Sequence, residues 1–63
     1  MCEAALIAKK GDIEEEIIRE IEIIIVEGDK IKASDILGRE LDVEGSITKI
    51  DLIQNKIYFE RKI

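Results

Sequence analysis

The 63-residue sequence has no histidine, no proline and no tryptophan, and a single cysteine, Cys2. Without histidine, a His-based zinc site is excluded. A Ser–His or Cys–His catalytic pair is excluded for the same reason. One cysteine cannot form a disulfide within its own chain. No apolar run approaches the roughly 20 residues that a membrane-crossing helix needs. The first apolar stretch, residues 4–8, is too short for the core of a signal peptide and lacks a basic leader. No membrane partner is expected, and a lone free thiol fits a reducing compartment, the cytoplasm. Positive charge is also scarce. Ten Lys and Arg face fifteen Asp and Glu, for a net charge of −5. That argues against a nonspecific grip on phosphate backbones, which needs clustered cations.

What is present is aliphatic and charged. Apolar residues make up 46% of the chain and charged ones 40%, a balance that folds rather than staying disordered. Fifteen residues are isoleucine, and the only aromatics are Tyr58 and Phe59. Isoleucine is stiff at χ1 and suits a pleated, half-buried surface, so composition favours an all-β domain. The Ile, Glu and Lys excess fits a heat-adapted protein. A codon bias toward A and T gives the same excess, and the absence of proline leaves the two readings level. Residues 1–63 form one domain. A chain this short hides only about 60% of its unfolded surface. Its core supplies roughly 3–5 kcal/mol, so a metal or a second subunit is a natural supplement.

Turn signals divide the chain into short segments. They fall at Gly11, Gly28, Gly38, Gly45 and Gln54-Asn55. Residues 2–8 read as a first strand with apolar side chains on both faces, as expected where a strand is covered on both sides. Gly28-Asp29 predicts a two-residue hairpin turn between residues 19–27 and 30–36. Residues 39–43 alternate, with Leu41 and Val43 on one face. In residues 47–52 the apolar spacing slips, which predicts a bulge. Residues 56–61 put Ile57 and Phe59 on one face and Tyr58 and Glu60 on the other. Residues 12–27 are ambiguous. Ile13, Ile17, Ile21, Ile24 and Ile25 share one helical face, with Asp12 as N-cap, Glu15 at N3 and Gly28 at C′. Yet Ile23-Ile24-Ile25-Val26 is wholly β-branched, and residues 20–25 partly alternate. Periodicity alone leaves helix and strand open here.

Four segments occur in a telling order: Met1-Cys2-Glu3-Ala4, Val26-Glu27-Gly28-Asp29-Lys30-Ile31, Asp35-Ile36-Leu37-Gly38-Arg39-Glu40, and Gly45-Ser46-Ile47-Thr48-Lys49-Ile50-Asp51-Leu52. Together they resemble the CooT family of small nickel-binding proteins over essentially the whole chain. The chain departs from the family pattern at Leu37-Gly38-Arg39-Glu40, where Gly is followed directly by Glu in that pattern. The resemblance implies a small, SH3-like, all-β barrel that pairs into a homodimer, and it tips residues 12–27 toward strand. It implies Cys2 as the ligand of Ni(II) and an accessory role toward a nickel-containing carbon monoxide dehydrogenase. Older descriptions of the family speak of RNA binding.

The residues near Cys2 suit that chemistry. With Met1 retained, its amine, the deprotonated Cys2 amide and the Cys2 thiolate close two fused chelate rings. With Met1 removed, the amine and thiolate of Cys2 close one. Nitrogen and sulfur donors in one plane suit Ni(II), or another late transition metal such as Cu(II). One chain offers two or three donors, so a two-fold dimer that joins both N-termini would close the site. Taken without the resemblance, a lone cysteine beside apolar residues is more often a small buried hydrophobe. The acidic run Glu14-Glu15-Glu16, with Glu20 and Glu22, reads first as a charged strand edge and second as a hard-cation site. An RNA-binding alternative rests on Lys56, Tyr58, Arg61 and Lys62, an aromatic with basic neighbours. No catalytic trio, phosphate-cradling loop or cofactor fingerprint is present, so an accessory protein and not an enzyme is expected. The expected partners are a second copy of the chain and a nickel-enzyme client. A structural interaction module without metal is the remaining reading.

Overall fold

The computed structural model describes residues 3–62, so Met1, Cys2 and Ile63 lie outside the described residues. Five strands follow one another: β1 (Ala4–Lys10), β2 (Ile13–Glu27), β3 (Lys30–Asp35), β4 (Glu40–Asp51) and β5 (Lys56–Arg61). Each pairs antiparallel with the next, and β1 and β5 then pair in parallel, so the sheet closes on itself as a barrel. Among the described residues no helix is long and apolar enough to cross a membrane.

β2 is strand throughout, and its register explains why it mimics a helix. Against β1, Leu6 faces Ile18 while Ile7 faces Glu16, and Ala4 faces Ile21. Against β3, Ile21 faces Asp35 while Ile23 faces Ser34. Each slip inserts one extra residue into β2. A bulge turns the strand step of two into three. The core-facing Ile18, Ile21 and Ile24 are therefore three apart, a spacing that a helix also gives. Glu20 takes a left-handed φ of 59° at one slip. The β-branched run that follows pairs with β3 as a two-residue hairpin, with Glu27 opposite Lys30. Gly28 supplies the positive φ, 60°, that the first turn position requires.

The core holds Leu6, Ala8, Ile21, Ile31, Ala33 and Phe59. The other face of β1 packs Ala5 and Ile7 against Tyr58. β1 is thus buried on both faces over residues 5–8, as its sequence predicts, because the core with Phe59 covers one face and Tyr58 the other. The expected turns at Gly11 and Asn55 occur, each with positive φ. The slip in β4 is also present. Ile47 faces Phe59 while Lys49 faces Tyr58, leaving Thr48 as the extra residue.

Gly45 corrects the sequence reading. It is not a turn but lies inside β4, where the strand passes from β3 to β5. A Cβ at Gly45 would collide with the carbonyl oxygen of Glu60 and meet the ring of Phe59 at 3.0 Å. Its N–H donates to the carbonyl of Asp29 (2.7 Å), which ties the β2–β3 turn to β4. Glycine is needed here for close approach of backbones, a second use of the residue beside turning.

Candidate functional site

The chain enters β1 at one end of the barrel, and three backbone segments frame that point. Ala4 pairs with Ile21, which pairs in turn with Asp35. On the other side, the N–H of Ala5 donates to the carbonyl of Asn55 (2.9 Å). The N–H of Ile36 donates to the carbonyl of Glu20 (3.1 Å). The turns at residues 36–39 and 52–55 therefore flank the same end as Glu3.

Two buried or half-buried carboxylates hold these turns. The Asp35 carboxylate accepts from the N–H groups of Leu37 and Arg39 (both 2.9 Å) and from the Arg39 Nε (2.6 Å). Burial alone would raise its pKa. The hydrogen bonds from the Arg39 backbone, the Arg39 side chain and the Leu37 backbone outweigh burial and hold the carboxyl below its ordinary value of 3.8. Arg39, the residue at which the sequence departs from the family pattern, is thus the cation that pairs with Asp35. Asp51 accepts from the N–H groups of Ile53 (3.1 Å) and Gln54 (3.0 Å), so it is a turn-former.

With their backbones held this way, both turns push apolar side chains into water. Leu37 is 73% exposed, Leu52 81% and Ile53 94%; Ile36 and Ile50 are also exposed. Beyond Ile21, the edge of β2 that β1 occupies carries no strand among the described residues. Ile23, Ile25 and Val26 are about half exposed there. Singly exposed aliphatics are ordinary; Ile36, Leu37, Leu52 and Ile53 differ in lying on the two turns that flank the start of β1, whereas Ile25 and Val26 lie by the β2–β3 turn. Sequence patterning does not indicate these exposures, because an aliphatic such as Leu37 or Ile53 reads the same whether a turn exposes it or the core covers it.

Met1 and Cys2, the expected metal ligands, lie outside the described residues. Among the described residues no group of three or more metal-ligating side chains converges. Glu14, Glu15 and Glu16 are exposed, and Glu16 pairs with Arg19 (2.6 Å), which fits a charged strand edge. The RNA-binding alternative meets a different geometry. Tyr58 is only 8% exposed, against Ala5 and Ile7, and the Lys49 ammonium lies 5.4 Å from its ring centroid. It offers no open face for a base to stack on. Lys56 begins β5, and Arg61 ends it, with Lys62 next and paired to Asp29 (2.5 Å). These cations occupy opposite ends of one strand and do not converge.

The family model described as CO dehydrogenase accessory protein CooT matches residues 1–60. The chain belongs to the CooT family. Among its relatives, an uncharacterized protein of Methanothermobacter thermautotrophicus is 38% identical over 60 residues, covering 95% of this chain and 89% of that protein. Another, of Methanocaldococcus jannaschii, is 39% identical over 44 residues, covering 70% and 77%. A crystal structure of a protein assigned as CooT of Carboxydothermus hydrogenoformans has the same fold, with a TM-score of 0.89. It is 24% identical and covers 98% of this chain and all of that one. The family is described as one of CO dehydrogenase accessory proteins, and membership fits an accessory role.

Proposed function

We propose that this CooT-family protein binds Ni(II), or another late transition metal, through the Cys2 thiolate and the Met1 amine, and serves a nickel enzyme as an accessory protein in the cytoplasm. The observation that carries the reading is the family match from residue 1 to residue 60. It spans the Met1-Cys2 start, the chain's one thiol and the amine next to it. The barrel is SH3-like and works as a homodimer. The exposed apolar side chains around the point where the chain enters β1 support that pairing. A second copy on this end would bring two N-termini to one axis and double the nitrogen and sulfur donors into a closed site. Because thiol and amine must lose protons to bind, affinity falls steeply as pH drops below neutral.

Equilibrium dialysis against Ni(II) tests the site. The expected result is one ion per two chains, with binding abolished in Cys2→Ser. Equal uptake by Cys2→Ser would refute the ligand assignment.

A further inference from the structure

The parallel pairing of β1 with β5 has a second consequence at the far end of the barrel. Ala8 lies beside Phe59, and both strands run on in the same direction from there. Lys9-Lys10 and Arg61-Lys62 therefore leave the barrel side by side. An antiparallel pair would have sent these two basic doublets to opposite ends. Together they line an open groove of about 500 Å³. Ile13, 70% exposed, supplies an apolar patch on that groove. Four of the ten cations of a chain with net charge −5 thus gather around one apolar side chain. Two glutamates, Glu15 and Glu60, share the lining, and Lys62 is already paired to Asp29, so Lys9, Lys10 and Arg61 leave a surplus of one positive charge.

We infer that this end of the barrel docks an acidic segment of a protein partner, one that carries an apolar side chain between its carboxylates. Charge complementarity selects an acidic ligand. The central Ile13 and the two lining glutamates favour a peptide over a nucleic acid, whose continuous phosphates would meet both carboxylates. The groove lies at the opposite end of β1 from Ala4, about 20 Å away at roughly 3.4 Å per residue. Occupying it leaves the proposed metal end open. The inference rests on the accessory reading in one respect: it makes the partner a protein.

The test uses metal-free full-length protein and an acetylated probe peptide, Glu-Asp-Glu-Leu-Asp-Glu. Backbone NMR shifts are expected at Lys9, Lys10, Ile13 and Arg61, and they vanish in high salt. Lys10→Glu and Arg61→Glu, both at exposed positions, each weaken binding at least about tenfold while the rest of the spectrum stays folded. Ile13→Ser weakens this peptide but not its Leu-to-Ser analogue. Absence of shifts at millimolar peptide, shifts confined to another surface, or tighter binding of oligouridylate at the same residues would each overturn the inference. The measurement contains no nickel. Failure of the metal reading would leave it standing, and its own failure would leave the metal reading untouched.

Discussion

Replacing Gly45 by alanine tests the packing that closes the barrel. The new methyl group would enter the space of the Glu60 carbonyl oxygen, with the Glu60 carbonyl carbon and Phe59 Cδ2 each at 3.0 Å. Two of these atoms are backbone and the third belongs to a buried ring, so none can swing aside. β4 and β5 must separate at the Gly45–Arg61 pair, which also strains the neighbouring bond from the Lys62 N–H to the Glu44 carbonyl (3.0 Å). Overpacking of this kind costs about 1–3 kcal/mol. One or two weakened ladder bonds add about 0.5–1.5 kcal/mol each. The sum, about 1.5–6 kcal/mol, rivals the whole stability expected of so small a core. At about 4–8 °C per kcal/mol, the melting temperature falls by at least about 6 °C. Gly28→Ala is the control. Nothing lies within 4 Å of its added Cβ, so it carries only the conformational strain of φ 60°, about 1–2 kcal/mol. Thermal and urea unfolding followed by circular dichroism compares the two. If Gly45→Ala proves no more harmful than Gly28→Ala, the steric account of β4 is wrong.

Further outcomes follow from the core, the apolar end and the buried carboxylate. Leu6→Ala empties part of the fully buried core and costs about 2–5 kcal/mol in urea unfolding. Leu52→Ser and Ile53→Ser change the stability of the separated chain by no more than about 0.5 kcal/mol. In sedimentation equilibrium they weaken the proposed dimer, and an unchanged association constant would count against that face as the interface. Asp35 has a lowered folded-state pKa, so its stabilising contribution is complete above its ordinary 3.8 and is lost as pH falls through the lowered value. NMR titration of its carboxyl carbon should give a midpoint below 3.8, and Asp35→Asn should remove that part of the acid dependence.

Much of this architecture is legible in the residues. The alternation of Ile31, Ala33 and Asp35 against Lys30, Lys32 and Ser34 marks β3 directly. Gly28 and Asn55 mark turns because only they tolerate the required φ there at low cost. β2 was ambiguous because bulges opposite β1 and β3 reset the period, and register is a property of the partner strands. Gly45 was misread because a glycine needed for backbone contact carries the same letter as one needed for a turn. Tyr58 looked like an exposed platform because alternation in β5 cannot reveal that β1 buries its second face. The candidate site divides similarly. The donor chemistry of Met1 and Cys2 is a matter of covalent neighbours and can be read from sequence. The apolar turns that flank the chain's path into β1, and the basic groove at the far end, arise only from topology.

Native mass spectrometry with added Ni(II) bears most directly on the proposed role. The protein should be detected as a dimer carrying one nickel ion, with mass lost to displaced protons, and Cys2→Ser should be detected without the ion. A wild-type dimer that stays metal-free, or a Cys2→Ser protein loaded to the same extent, would contradict it.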